Sequence, residues 1–211
     1  MTEIVQGSPE WHALRIGKVT ASRVSDVIAK TKTGWGASRA NYMAELIAER
    51  LTGEPAEKFT NAAMAWGTEK EPDARAAYEF FRDAQVSEIA FVDHPVIGMT
   101  GASPDGLVGD HGLVEIKCPN TATHLDTLLT QAIPSKYVTQ MLWQMEVSGR
   151  AWCDFVSYDP RLPETMSLFV KRVERDDNLI DEMRSLVIEF LDEIEQKITA
   201  LNRMYGVREA A

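Results

Sequence analysis

The strongest constraint on this chain is a pair of acids placed symmetrically about one turn. Asp105 and Glu115 are equidistant from Asp110, at the tip of the sequence GDHG. A hairpin closed there sets the two carboxylates opposite each other on adjacent strands. If GLVEIKC is a strand, alternation puts Leu113, Glu115 and Lys117 on one face and Val114, Ile116 and Cys118 on the other. The second face is apolar and packs, and Cys118 belongs to it. The first gathers a carboxylate and an ammonium. Two acids at one point repel and resist joint ionisation unless a cation joins them. Hard oxygen donors of this kind suit Mg²⁺ or Mn²⁺. Lys117 beside them can orient or deprotonate a water, or stabilise charge on a phosphate. The plain alternative is a solvated hairpin face with an ordinary Glu–Lys pair, worth little. The S-P-D-G that precedes the apolar strand at the matching distance weighs against it.

Composition narrows the class. The 211 residues suffice for one well-buried domain, and 45% hydrophobic with 26% charged content is that of a globular protein. No run approaches the roughly 20 apolar residues of a membrane span. The start, MTEIVQGSPEWHALR, lacks a basic segment followed by an apolar one, so no signal peptide is expected. Cys118 and Cys153 are too few for a disulfide framework or a four-cysteine iron–sulfur cluster within one chain, and a cytoplasmic location is expected. The four histidines, His12 and His124 among them, form no zinc pattern. A net charge of −10 argues against a broadly basic nucleic-acid binder. It leaves room for positive charge concentrated on one surface, or for acids that hold metal ions.

No internal repeat or Pro/Ser-rich linker divides the chain, so residues 1–211 are expected to form one domain. TASRVSDVIAK reads as a short helix capped by Thr20 or Ser22, and TKTGWGASRAN as a basic loop. Helical periodicity runs through YMAELIAERL to Gly53, and again from Asn61 to Phe81, where Pro72 either opens a new segment or bends a continuous one. The runs VSEIAFV, VIGMTGAS, GLVEIKC, WCDFVSY and MSLFVKRV read as strands, with a helix over Pro134 to Val147. Ile180, Met183, Val187, Phe190, Ile194, Ile198 and Leu201 mark a long C-terminal helix, followed by Gly206. The expected fold is α/β (α+β), a mixed sheet of about five strands flanked by helices.

Asp105, Glu115 and Lys117 resemble the PD-(D/E)xK nuclease signature. The blocks WHALRIGKVTASRVSDVIAK, AMAWGTEKEPDARAAYEF, SPDGLVGDHGLVEIKCP, YVTQMLWQMEV and FVSYDPR resemble, in the same order, the motifs of the phage lambda exonuclease, or YqaJ-type viral recombinase, family. The match spans residues 8 to 175. The resemblance implies a restriction-endonuclease-like core with two Mg²⁺ ions, replaceable by Mn²⁺. Their ligands would be Asp105, Glu115 and the Ile116 carbonyl, with Glu71 as a further acid; an i,i+4 pair with Arg75 is the structural alternative for Glu71. Gln140 and Tyr137 match the family's Y-x-x-Q, Gln140 placing a phosphate or the attacking water and Tyr137 contacting DNA. Arg15, Ser22 and Ser103 match a pocket for a 5′-terminal phosphate, in keeping with the bidentate fit of guanidinium to phosphate. Met64 sits where the family places an apolar wedge against the terminal base pair, core packing being the alternative. Lys32 falls near a basic residue that tracks the duplex, in a loop shorter than the family's.

The activity so implied is a Mg²⁺-dependent 5′→3′ exonuclease on linear double-stranded DNA. It would release 5′-mononucleotides and leave 3′ single strands for recombination by single-strand annealing. A homotrimeric ring, a single-strand annealing protein as partner, and a phage or prophage origin in a bacterial host are implied with it, and no membrane association. The alternatives are another RecB-like nuclease and a catalytically silent DNA-end-binding module.

Overall fold

The computed structural model describes residues 4–56 and 61–206. Helix α1 (Pro9–Arg15) is capped by Ser8, whose Oγ accepts the Trp11 N–H. Strand β1 (Val19–Thr20) leads through a 3-10 turn at Ala21–Arg23 into the short helix α2 (Val24–Val27). The segment expected as a loop instead holds a hairpin, β2 (Lys30–Thr31) and β3 (Gly34–Trp35), and its last five residues open the next helix. Helix α3 (Ala37–Thr52) stops where Gly53 turns left-handed at φ 73°. Helix α4 (Ala62–Arg82) begins at Asn61, whose Oδ1 accepts the Met64 N–H at 2.9 Å, and it continues through Pro72.

Of the strand-like runs, VSEIAFV divides into β4 (Val86–Ser87) and β5 (Val92–Asp93), which join different sheets. Strands β6 (Thr100–Ala102), β7 (Gly106–Val108) and β8 (Gly112–Lys117) follow. Helix α5 (Thr121–Thr130), unexpected from the sequence, is capped by Asn120, which accepts the Thr123 N–H at 2.9 Å. Helix α6 (Ser135–Ser148), β9 (Trp152–Tyr158), the single turn α7 (Glu164–Ser167), β10 (Leu168–Glu174) and the long helix α8 (Asp177–Tyr205) complete the chain. No helix among the described residues is long and apolar enough to cross a membrane.

The main sheet has five strands in the order β10-β9-β8-β7-β4, with β8 and β9 parallel and the other pairs antiparallel. Alternation along β8 decides what each face meets. Val114, Ile116 and Cys118 pack with Ala74 and Tyr78 of α4. Leu113, with Cys153 and Phe155 of β9, packs under α6 and the layer of α3 and α8 beyond it. Both faces of β8 are therefore covered, and the face carrying Glu115 is buried rather than open to solvent. Cys118 packs as expected, and burial pushes its thiol up to about 12.

A second sheet, β1-β6-β5, does the positioning. Val19 pairs with Thr100 and Thr20 with Gly101, in parallel, so the N-terminal segment lies beside the chain that leads to Asp105. Gly101 is central in this sheet, and a Cβ there would collide with the Phe91 ring and the Val92 carbonyl oxygen. Backbone cannot retreat as a flexible side chain can. Gly101→Ala should therefore cost about 1–3 kcal/mol of stability in urea unfolding, and an unchanged midpoint would contradict this packing.

Candidate active site

The hairpin about Asp110 forms. Gly106 pairs with Val114, Leu107 with Leu113 and Val108 with Gly112, and one further step of that register brings Asp105 opposite Glu115. Asp105 lies in the link between β6 and β7, and its Oδ2 accepts the Ile116 N–H at 2.6 Å. Lys117 Nζ contacts Glu115 Oε1 and stands 3.9 Å from Asp105 Oδ2, so the ammonium spans the two acids. Helix α6 supplies the remaining partners. Gln140 Nε2 donates to Glu115 Oε1 at 2.6 Å, and Gln144 Nε2 donates to Oε2 at 2.6 Å. Two glutamines one helical turn apart thus cover a fully buried carboxylate.

Charge follows from this geometry. Burial pushes the Asp105 carboxyl well above the usual carboxylate range, and Glu115 adds to the rise; Lys117 and the Ile116 N–H oppose it. Burial works against the Lys117 ammonium, but Glu115 and Asp105 outweigh it and hold its pKa above the ordinary lysine value. In this arrangement Lys117 keeps its proton. Glu71 is half-buried on α4 and its carboxyl is raised, chiefly by burial. Arg75 and Lys117 pull it down, while Glu115 pushes it up. Its direct partner is Arg75, at 3.0 Å. Glu71 therefore makes the helix pair and also feels the charges on β8.

The donor set fits a small hard cation. Among the described residues no three His, Cys, Asp or Glu side chains form a closed metal cage. Mg²⁺ needs only one or two carboxylates, with water and substrate phosphate completing its shell. Asp105 and Glu115 supply these beside the Ile116 backbone, and a divalent cation would offset the burial and the repulsion from Glu115 that hold Asp105 up.

Beside the acids lies a cavity of about 140 Å³ lined by residues including Arg15, Thr20, Ser22, Ser103, Asp105 and Gln140. The Arg15 guanidinium rests 3.8 Å above the Trp11 ring, and its Nε is buried with no hydrogen-bond partner among the described residues. Burial lowers its pKa to about 10, with Tyr42 and Glu49 opposing. Trp11 Nε1 donates to Ser103 Oγ at 3.0 Å and to the Ala90 carbonyl at 2.8 Å. The Ser22 hydroxyl lies 3.4 Å from that of Thr20. Arg15, Thr20 and Ser22 also border a second cavity of about 650 Å³, with Met64 on its rim. Met64 is 52% exposed, so the structure places it outside the core.

Lys32 is exposed in the turn between β2 and β3. Tyr137 stacks on Phe155 at 5.6 Å between ring centres, and Lys117 Nζ lies 5.4 Å from its own. His124 is buried against the Ser157 hydroxyl (2.7 Å) and the Met166 carbonyl (2.8 Å), a structural role. Sequence reasoning missed Trp11, Thr20 and Gln144. For Trp11 and Gln144 the signal was available as i,i+4 spacing, to Arg15 and to Gln140 respectively.

Two carboxylates and a lysine gathered at one point of a mixed sheet, beside a cavity that Arg15 borders, fit a nuclease. The model of the YqaJ-like viral recombinase domain matches residues 10–151, more than half of the chain, and the chain belongs to that family. It is similar to an alkaline exonuclease, LHK-Exo, from Laribacter hongkongensis at 54% identity, covering 93% of this chain and 97% of that one with a TM-score of 0.88. LHK-Exo in complex with dAMP matches over the same shares at a TM-score of 0.89. A phage-related exonuclease from Haemophilus somnus 129PT shares the fold at 17% identity, with a TM-score of 0.73 over 90% of this chain and 99% of that one. No curated protein matches the chain.

The raised Asp105 carboxyl has a consequence for stability. An acid whose pKa is higher folded than unfolded destabilises the fold above its folded pKa and has no effect below the unfolded one. Asp105→Asn keeps an oxygen for the Ile116 N–H and removes the repulsion with Glu115. In chelator it should melt higher than the wild type at neutral pH, and the gap should close as pH falls towards 3.8, the ordinary aspartate value. Equal melting curves at neutral pH would show that burial and Glu115 together impose no net cost on the ionised Asp105 carboxyl in the folded chain.

Proposed function

We propose that this chain is a 5′→3′ exonuclease acting on linear double-stranded DNA with a 5′-phosphate, and that Mg²⁺, or Mn²⁺ in its place, serves as cofactor. The observation that carries the reading is Arg15: a desolvated guanidinium, its Nε without a partner among the described residues, facing the same cavity as Asp105. A planar guanidinium with a buried Nε that lacks a partner suits a bidentate anion, and phosphate fits it. The Ser22 and Ser103 hydroxyls border the same space. An end held there leaves its first phosphodiester beside the acids, which favours exonucleolytic over internal cleavage. The dAMP bound by LHK-Exo agrees with a mononucleotide product.

Each residue then has a task. Asp105, Glu115 and the Ile116 carbonyl would hold two Mg²⁺ ions with help from Glu71, and when bound these supply Lewis-acid neutralisation of the phosphate. Lys117, kept protonated by Glu115 and Asp105, stabilises charge on the phosphoryl oxygens. Gln140 fixes Glu115 and borders the cavity where phosphate and water meet. Met64, exposed on the rim of the larger cavity, is placed to wedge the terminal base pair, and Tyr137 and Lys32 would contact the strands. The family's architecture extends the proposal to a homotrimeric ring around the duplex, to 3′ single strands as the other product, and to a single-strand annealing protein as partner. A ring would reconcile the net charge of −10 with DNA binding, since its basic groups would line the channel.

With Mg²⁺ and 5′-phosphorylated linear duplex, the protein should release mononucleotides and leave circular duplex intact. Arg15→Ala should reduce its preference for 5′-phosphate over 5′-hydroxyl ends by roughly 10- to 100-fold, the worth of charge-assisted hydrogen bonds. Release from circles, or binding to ends without release, would refute the exonuclease reading. An unchanged end preference in Arg15→Ala would remove Arg15 from the pocket.

A further inference from the structure

The point between the two acids already holds a positive charge that belongs to the chain. Lys117 Nζ contacts Glu115 Oε1 and lies 3.9 Å from Asp105 Oδ2. A carboxylate offers about four lone-pair positions, roughly two on each oxygen. Glu115 Oε1 meets two donors, Lys117 and the Gln140 amide at 2.6 Å. Oε2 accepts from the Gln144 amide, also at 2.6 Å. Across the gap, Asp105 Oδ2 accepts the Ile116 N–H at 2.6 Å. A divalent ion that joins these acids must therefore displace a partner that Glu115 already has.

The three partners of Glu115 differ in freedom and in charge. Gln140 is 9% exposed and Gln144 fully buried, both held on α6 among Met141, Trp143 and Met145. Lys117 stands at the end of β8 with 27% of its side chain exposed, on a long and flexible stem. It is also the cation of the three. Exchanging it for a metal ion replaces charge with charge, whereas pushing an amide aside would leave a buried donor unpaired. A second seat is close, since Nζ lies 5.4 Å from the centre of the Tyr137 ring, which Lys136 shares at 4.7 Å. We propose that Lys117 and the divalent cofactor compete for Glu115 and Asp105, and that the ion's arrival displaces the ammonium. The inference rests on the divalent-cation reading given above. Once displaced, the ammonium is available to a substrate phosphate. Coupling of this kind is reciprocal: a phosphate that draws Lys117 off Glu115 strengthens metal binding by the factor by which metal strengthens phosphate binding.

Calorimetric titration of MgCl₂ into chelator-stripped protein measures the competition without recourse to turnover. Lys117→Met and Lys117→Ala remove the competing charge and should bind Mg²⁺ about 10- to 100-fold more tightly than the wild type, the worth of a charge-assisted contact. Equal or weaker binding by a folded variant would overturn the proposal, because the ammonium would then support the metal site rather than occupy it. A cation that was merely nearby would also weaken metal binding by repulsion, so a second measurement separates contact from proximity. Crystals of the wild-type protein grown with MnCl₂ should show Nζ withdrawn from Glu115 Oε1 beyond hydrogen-bond distance. A Mn²⁺ ion on the acids with that contact intact would overturn the proposal whatever the variants do, and this comparison decides alone if neither variant folds. A wild-type protein that takes up neither ion would sink the cofactor reading itself, and this inference with it.

Discussion

Glu115 is a carboxylate with no solvent exposure, set within the central strands of the main sheet. Losing water is costly for an ion, and the cost has to be met by fixed partners. Lys117 and Gln140 attend one oxygen, Gln144 the other. These contacts require α6 to cross β8 at one place and in one rotation, which the fully buried Met141, Trp143 and Met145 secure. Helix α4, packed on Val114, Ile116 and Cys118, then seals the strand from the other side. The core and the site are thus one construction.

The hairpin was legible because strand geometry has a period of two and the acids are symmetric about Asp110. The helices of residues 135–148 and 177–205, and the 37–52 helix from Tyr42 onward, were legible from their apolar spacing. Helix α5 was not, since TATHLDTLLT is rich in threonine and has a weak apolar stripe; its docking against β9, with His124 on Ser157, holds it. The division of VSEIAFV between two sheets was hidden as well, because both partners lie later in the chain. The polar face of β8 is buried, which the alternation of its residues did not reveal, because a helix with two glutamines on its inner side covers it. Arg15, Ser22 and Ser103 came from family resemblance. Their meeting in one cavity depends on the pairing of β1 with β6, which no local pattern encodes.

Several arginines of this acidic chain are committed to carboxylates within the fold. Arg39 is tied to Glu193 at 2.7 Å, Arg172 to Asp154 at 2.8 Å, and Arg175 and Arg184 both to Glu146 at 2.7 Å. Arginines committed in this way brace the fold and are unavailable to ligands. Arg15 has an aromatic ring beneath it instead of a carboxylate. An aromatic face holds a cation in place without cancelling its charge, which leaves the charge for another group to answer.

The small sheet β1-β6-β5 joins two pieces of chain with separate duties. One holds the groups that would recognise a terminus, and the other leads into the acids. Backbone pairing and a few side-chain bonds, Trp11 to Ser103 among them, connect the two, so residues of the first outside these contacts can vary without disturbing the second. A lineage could thereby change which kind of end it accepts while keeping one cutting apparatus, much as a lathe takes a new chuck and keeps its blade.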